Sequence, residues 1–208
     1  SLTLNKLYIS ESVSLPAQKT TLKDSSDIGV LNIFAAGAGY SSGRNTLLHL
    51  KSRTFFKSLI AEPDFLPELM AYDSYDINKR ELFFDKNKYD SKSKTWLINT
   101  PIFEDAYEVY MEKHFTVYQH MTDEFITIRT KHISPEVAVK WNNTILRNIN
   151  KFEKNNAIKK STAAIQYYES ELEKVNTLYV KNAMIMGISE ELNRMATSEV
   201  DEEYALEI

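Results

Sequence analysis

The chain has 208 residues, of which 43% are hydrophobic and 12% aromatic, so it can bury a substantial core and is not expected to be disordered throughout. Its net charge of -4 argues against nucleic acid or an anionic membrane surface as the main partner, because either would attract a basic face. Cysteine is absent from the sequence, which excludes disulfides, thiol chemistry and a cysteine-based zinc site.

The first forty residues predict one strand followed by a loop. Residues 7–9 lie in a loosely alternating stretch that is typical of a strand. Residues 11–27 are polar and include a proline, which favours an exposed loop. The apolar stretch 28–36 is broken by the glycine-rich run 37–43, where we expect a tight loop between two helical segments.

The middle of the chain predicts short helices and little sheet. Three helices are expected, at residues 44–50, 52–60 and 63–71. Ser52 is a suitable N-cap for the second of them. Residues 73–94 are polar and irregular, and only 82–84 are typical of a strand.

A further helix and a β-hairpin precede residue 134. Pro101 is expected to start a helix that runs to about Lys113. Residues 115–119 and 124–132 are expected to pair as a hairpin across 121–123. The second of these strands alternates apolar and polar residues, so one of its faces should lie in the core.

The last third of the chain predicts very long helices. Ser134 is a good N-cap and Pro135 a good first helical residue, and no proline follows as far as Ser198. A single helix over this stretch would be roughly 95 Å long. A compact globule of this chain length has a radius of gyration of only about 17 Å, so part of the helix must extend beyond it.

Apolar stripes divide this segment into two arms. They are formed by Val137, Trp141, Ile145, Ile149 and Phe152, then by Ala164, Tyr168, Leu172 and Val175, and then by Val180, Met184, Ile188, Leu192 and Met195. Residues 153–162 between the first two stripes are expected to be solvated. Asn176 and Thr177 offer a break and an N-cap, which predicts an outgoing arm of ~60 Å and a shorter returning arm.

Together these elements predict an α+β fold, with a small mixed α/β base and a long projecting helical hairpin. The base would comprise residues 1–134, joined by a strand at 201–208, and the hairpin residues 135–200. Strand-like stretches near Leu7 and Leu206 are expected to be neighbours in one sheet. Trp141 should be buried where the long helix leaves the base, because it is the largest side chain of its stripe.

No pattern in the sequence marks an active site. The run from Gly37 to Gly43 lacks the lysine of a phosphate-binding loop and the glycine spacing of a dinucleotide site. The four histidines are expected to be scattered on the surface, although His114, His120 and Asp123 could lie close enough together for a metal ion. We therefore predict no catalytic, cofactor-binding or metal-binding residues.

The acidic residues also mark no reactive pair. Glu104–Asp105, Glu190–Glu191 and residues 201–203 are typical of solvated helix faces or ends. No Gly-x-Ser-x-Gly motif is present, so a serine hydrolase elbow is not indicated.

Aromatic and methionine residues of the two arms are candidates for a contact surface. Tyr168, Tyr179, Met184 and Ile188 are predicted to contribute to an interface between identical subunits. Contact between the two arms of one chain explains the same residues, and both interpretations stay open at this stage.

The sequence contains no stretch of ~18 apolar residues, so no membrane-spanning segment is indicated, and no signal peptide is evident. The chain starts without methionine and stops in a strand-like segment, so we expect it to be a soluble portion of a longer protein.

Six segments follow one another along nearly the whole chain in an order that resembles a known family. They are the small-residue stretch 28–43, residues 48–56 with 65–69, residues 128–142 with Ser134-Pro135 and Trp141-Asn142, residues 149–150, residues 161–172 with Tyr167-Tyr168, and residues 195–205. In this order they resemble the polysaccharide chain-length determinants, the Wzz-like polysaccharide co-polymerases. The glycine segment is poorer in leucine than is usual there, and Thr122-Asp123-Glu124-Phe125 stands where a glycine-leucine turn is more usual.

The resemblance implies a function without bond chemistry or cofactor. It implies a periplasmic domain between two transmembrane helices, rings of identical subunits in the bacterial inner membrane, and control of the chain length of O antigen or a related polymer. The implied partners are a separate polysaccharide polymerase and its lipid-linked glycan. Two other classes remain open, a non-enzymatic coiled-coil adaptor and a carbohydrate-active enzyme.

Overall fold

The computed structural model describes residues 6–16, 42–120 and 125–207. The predicted apolar stretch 28–36, most of the glycine-rich run and the turn 121–123 lie outside these ranges. The strands are β1 Tyr8–Pro16, β2 Tyr72–Asp76, β3 Glu81–Phe84, β4 Tyr89–Asp90, β5 Thr95–Trp96, β6 Phe115–Gln119, β7 Ile126–His132 and β8 Leu206–Glu207. The helices are α1 Ser42–Leu50, α2 Arg53–Ile60, α3 Phe65–Met70, α4 Phe103–Val109, α5 Pro135–Leu172 and α6 Leu178–Val200, with a π-helical turn at Tyr110–His114.

The main sheet has four antiparallel strands in the order β6-β7-β1-β8. β1 pairs with β7 from Tyr8 opposite His132 to Ser14 opposite Ile126, and β8 pairs with the end of β1 at Leu15. The two terminal strands are therefore neighbours, as predicted. The predicted hairpin is also confirmed, because β6 pairs with β7 along its whole length.

The loop expected at residues 11–27 is wrong for residues 11–16, because β1 continues to Pro16, and residues 17–27 lie outside the described ranges. Its inward positions carry Ser10, Ser12 and Ser14, whose small side chains leave room for α5 to cross this face of the sheet. The amide of Asn142 on α5 reaches the carbonyl oxygen of Ser10 at 3.2 Å. Serine thus occupies positions where apolar residues would have indicated a strand.

Residues 72–96 also hold more sheet than predicted. β2 and β3 form one small hairpin and β4 and β5 another. Both turns contain a non-glycine residue with positive φ, Arg80 in the first and Lys94 in the second. Because neither turn uses glycine, the sequence lacks the usual hairpin signal.

The core lies between the inner face of the sheet and the helices. Its largest fully buried side chains include Trp141, Tyr110, Phe55, Phe56 and Phe65. Phe65 stacks on Trp141 with 4.7 Å between ring centroids. The prediction that Trp141 is buried is confirmed.

α5 begins where the sequence indicates, because the hydroxyl of Ser134 accepts a hydrogen bond from the backbone N–H of Val137 at 3.2 Å. With 38 residues, α5 is ~57 Å long. α6 runs antiparallel beside it, since Thr162 contacts Met195 and Tyr168 contacts Gly187. The chain is therefore a mixed α/β structure with one very long helix and a shorter helix paired to it.

Candidate assembly interface

Two asparagines of α5 fix the long helix to the sheet. The side-chain amide of Asn142 donates to the carbonyl oxygens of Ser10 and Ile128, both at 3.2 Å. The side chain of Asn150 accepts from the backbone N–H groups of Ala205 and Leu206, each at 2.8 Å, and donates to the carbonyl of Leu206 at 3.1 Å. One helix thus joins the N-terminal and C-terminal strands.

A buried carboxylate fixes the same helix to α3. Glu68 accepts a hydrogen bond from the indole N–H of Trp141 at 2.9 Å and from Lys140 at 2.7 Å. Lys140 also lies 3.8 Å from Asp64, which in turn pairs with Lys94. Polar contacts therefore hold the first turns of α5 against α3. Glu68 was not predicted as an important residue, because nothing in the sequence distinguishes it from the other acidic residues of the short helices.

Burial changes sharply along α5. Nine residues of α5 between Val137 and Asn150 are buried. Among the described residues from 151 to 200, only Ser161 and Ser198 are buried. The predicted stripe is confirmed as far as Ile149, and Phe152 is half-buried against His49 and Phe55. Further along, α5 packs beside α6, with Thr162 next to Met195 and Tyr168 next to Gly187.

Three of the four predicted interface residues lie on the inner side of this helix pair. The ring of Tyr168 approaches Gly187 so closely that a Cβ atom there would lie 3.0 Å from it. Met184 and Ile188 are half-buried and share a face with Met195, whose sulfur lies 3.9 Å from the hydroxyl of Thr162. Their position agrees with contact between the arms of one chain.

Tyr179 differs from the other three, because it is 82% exposed at the start of α6. It belongs to a sector of α6 that points away from α5. At 100° per residue this sector contains Leu178, Tyr179, Asn182, Ile185, Met186, Ser189, Leu192, Asn193, Ala196, Thr197 and Val200. We call these residues the outer face of α6.

The outer face of α6 is exposed along its whole length and contains no charged residue. Leu178, Ile185 and Leu192 recur every seven residues, which is the repeat of a helix that packs along another helix. Leu178 is 73% exposed and Ile185 is 54% exposed. Two members of the predicted stripe are exposed, Leu192 at 53% on this face and Val180 at 37%.

The corresponding surface of α5 is polar. Its exposed positions beyond residue 150 are Lys151, Asn155, Lys159, Lys160, Thr162, Ala163, Gln166, Tyr167, Glu169 and Ser170. The exposed apolar surface of the pair is thus concentrated on α6. Residues 153–158, which were expected to be solvated, are mostly half-buried, so that expectation was only partly right.

The expectation of scattered surface histidines is wrong for two of the four. His114 and His132 are buried and lie 5.9 Å apart between ring centroids. His49 is half-buried and lies 2.5 Å from a carboxylate oxygen of Glu153. His120 is exposed and contacts the hydroxyl of Thr127, whereas Asp123, its expected neighbour, lies outside the described residues.

The described residues offer no grouping of three or more histidine and acidic side chains that could hold a metal ion. Glu104 and Asp105 are exposed in the first turn of α4, and Glu191 pairs with Arg194 on α6. In the part of the chain that the structure covers, no helix is both long enough and apolar enough to cross a membrane.

Comparison with known proteins adds no relative. The chain matches no protein-family model, and a search of the curated proteins found no match.

Proposed function

We propose that this protein is a non-enzymatic regulator of polysaccharide chain length that assembles as a ring of identical subunits at the bacterial inner membrane, with the described domain in the periplasm. The observation that carries the proposal is the uncharged outer face of α6. An exposed surface of this length that carries Leu178, Ile185 and Leu192 and no charge is unusual on a protein that acts as a monomer. A closed ring would cover it without open-ended association.

In this proposal the distal parts of α5 and α6 project from the base as a helical hairpin. Support comes from the loss of burial beyond Asn150, which leaves the last ~22 residues of α5 packed mainly on α6. These residues correspond to about 33 Å of helix. The long helices of neighbouring subunits would then lie side by side.

The terminal strands agree with attachment to one membrane. β1 and β8 are antiparallel neighbours, with Pro16 opposite Leu206 and Leu15 opposite Glu207. Extending β8 in this register leads toward the end of the sheet at which β1 begins. Both flanking segments would therefore leave the base on the same side, where we place the membrane.

The proposal assigns no bond chemistry to this domain. Two of its buried ionisable groups are engaged in contacts that hold the fold: Glu68 binds Trp141 and Lys140, and His132 binds two backbone groups. The polymerase and the lipid-linked glycan are proposed partners that supply the reaction. Control of length would arise from how the ring presents the growing polymer to the polymerase.

The test introduces charge on the outer face of α6 in the full-length protein. Ile185→Glu with Leu192→Glu should weaken self-association and shift the polysaccharide toward unregulated lengths, because burying two carboxylates without partners is costly. The control is Gln166→Glu with Ser170→Glu, which adds the same charge to the polar surface of α5. Charges at Met184 and Ile188 are less informative, since they would separate α6 from α5.

The outcomes are distinct. Weaker oligomers with altered polymer length in the α6 variant, but not in the α5 control, support the proposal. An unchanged length distribution from a folded variant with weakened oligomers would contradict it.

A coiled-coil adaptor is the second candidate, favoured by the seven-residue spacing of Leu178, Ile185 and Leu192. An adaptor would use the same face to bind a helix of a different protein. In that case the outer face would cross-link to the other protein and not to a second copy of this chain.

A further inference from the structure

Two buried histidines meet where the base holds the start of α5. His132 is the last residue of β7, and His114 ends the π-helical turn. Both rings pack on Trp141, with centroids 5.0 Å and 5.5 Å from the indole. Tyr72 of β2 lies edge-on to both of them, at 4.9 Å from His132 and 5.9 Å from His114.

The hydrogen bonds of His132 require one neutral tautomer. Its Nε2 lies 3.0 Å from the carbonyl oxygen of Glu68, so this nitrogen carries the proton and donates. Its Nδ1 lies 3.1 Å from the backbone N–H of Ser134 and therefore accepts. A second proton, on Nδ1, would face the Ser134 N–H donor to donor and break that contact.

His114 is likewise suited only to the neutral form. Its Nδ1 lies 2.7 Å from the carbonyl oxygen of Lys131 and donates to it. Its Nε2 is buried and has no hydrogen-bond partner within the described ranges. A proton on Nε2 would place an unpartnered charge in the core, which is strongly unfavourable.

The charged groups around the pair do not reverse this preference. From α3 the carboxylate of Glu68 is engaged by Lys140 and Trp141, and only its backbone carbonyl meets His132. From α5, Glu136 accepts from Ser134 and Tyr75. Beside His114, Lys113 contributes a positive charge that lowers the pKa of His114 further. Tyr72 packs against His132, and Tyr8 is the residue opposite His132 on β1. Neither tyrosine brings a charge near the two histidines.

We propose that His114 and His132 form an acid-operated latch, which holds the first turn of α5 against the base while both rings are neutral and releases it when they are protonated. Ser134 connects the histidines to the helix. Its N–H binds His132, its hydroxyl caps Val137, and its carbonyl accepts the N–H of Ala138 at 3.1 Å. Loss of the His132 contact removes the bond that fixes this capping residue. This inference does not depend on the proposed function.

The direction of the pH effect follows from the pKa of His132. Burial lowers it from 6.5 to about 4, and the neighbouring His114 also lowers it. The released form regains the ordinary pKa and binds the proton more readily, so the latch is at full strength above about pH 6.5 and weakens as the pH falls toward 4. For His132 alone this makes release roughly 80-fold easier between pH 6.5 and pH 4, because each end of the window coincides with one of the two pKa values and the group is half-protonated there.

Hydrogen exchange of backbone amides in the 208-residue chain tests the latch. Between pH 6.5 and pH 4 the protection factors of Ser134, Val137 and Ala138 should fall by roughly 80-fold. The amides of Ala205 and Leu206, which bind Asn150 at the far end of the core, serve as the internal reference and should keep their protection. Simultaneous loss at both places would mean global acid unfolding and would overturn the proposal.

Two variants and one titration complete the test. His132→Asn retains an acceptor near Nδ1 without the titratable ring, so the pH dependence of the protection of Ser134 should fall to the part that His114 contributes, and His114→Asn in the same background should remove that part. His120→Gln, at an exposed histidine, should leave the wild-type dependence unchanged. If His132→Asn does not fold, NMR of the wild type decides. The ring of His132 and the amide of Ser134 should titrate together well below pH 6.5, and an unmoved Ser134 amide would refute the latch.

Discussion

The indole N–H of Trp141 donates to the carboxylate of Glu68 at 2.9 Å, although the two residues are 73 positions apart. Through this bond the largest buried side chain of the base also determines how the long helix is held. Lys140, the preceding residue of α5, neutralises the other oxygen of the same carboxylate. The root of α5 is thus fixed by packing and by a satisfied buried charge together.

Removal of the Trp141 side chain should be among the most damaging single changes. Trp141→Ala is expected to lower the free energy of unfolding by about 3–5 kcal/mol, because it leaves a large cavity. Trp141→Phe should still cost about 1–3 kcal/mol, since Glu68 loses its indole donor. Urea denaturation measures both, with Val139→Ala on the exposed side of α5 as the control. A midpoint that does not move in Trp141→Ala would show that the residue is not core.

Asn150 should contribute much more to the stability of the fold than an exposed polar residue of α5 does. Asn150→Ala leaves the N–H groups of Ala205 and Leu206 without their acceptor and is expected to cost about 2–4 kcal/mol. Asn155→Ala, one turn further along α5 and exposed, should cost no more than about 0.5 kcal/mol. Equal effects of the two substitutions on urea stability would contradict the role of Asn150 as an anchor for β8.

Gly187 is explained by its contact with Tyr168. A Cβ at residue 187 would lie 3.0 Å and 3.1 Å from two atoms of that ring. Alanine favours a helix over glycine by about 1 kcal/mol, so Gly187→Ala should gain nearly this amount in a Tyr168→Ala background. In the wild-type background the gain should be smaller, because the ring must shift. A double-mutant cycle by thermal unfolding measures the difference, and a cycle without coupling would disprove the close contact.

The contact between Tyr75 and Glu136 predicts a pH dependence in the alkaline range. The hydroxyl of Tyr75 donates to Glu136 at 2.7 Å, and desolvation, together with this bond and the charge of Glu136, raises the pKa of Tyr75 to about 12. Because the folded pKa is above the ordinary value of 10, the contact is fully stabilising below pH 10 and is lost as the pH rises through 12. Carbon NMR of the tyrosine rings, assigned with Tyr75→Phe, measures this pKa. Glu136→Gln should lower it, and no change would contradict the contact.

Much of the fold could be predicted because local signals and packing agree. Ser134 and Pro135 mark the start of α5, and the stripe through Trp141 matches the face that is buried. β1 was cut short because Ser10, Ser12 and Ser14 serve as spacers under α5, a need that is visible only once the helix is in place. The buried pair His114 and His132 could not be anticipated either, since strand pairing and a π-helical turn bring them together.

The candidate interface shows a different limit. α6 carries apolar residues on two sides, one formed by Met184, Ile188 and Met195 and the other by Leu178 and Ile185. Hydrophobic periodicity detects both sides but cannot say which one packs against α5. The close approach of Gly187 to Tyr168 decides the matter, because it sets the rotation of α6.

The most direct test of the proposed ring assembly is cysteine cross-linking in the full-length protein. The 208 residues contain no cysteine, so Ile185→Cys adds the single thiol of this part of the protein, on the outer face of α6, and any cysteine elsewhere in the full-length protein is replaced by serine. Gln166→Cys on the polar surface of α5 is the matched control, and polymer length is recorded for both. We predict that Ile185→Cys gives cross-linked dimers of this chain at much higher yield than the control Gln166→Cys. The yield should also be much higher than from Met184→Cys, because residue 184 lies on the inner side of the helix pair. Polymer length should be controlled normally before the cross-link is formed. Equal yields at positions 184 and 185, or no self-cross-link at 185 in a protein that still controls length, would contradict assembly through the outer face of α6.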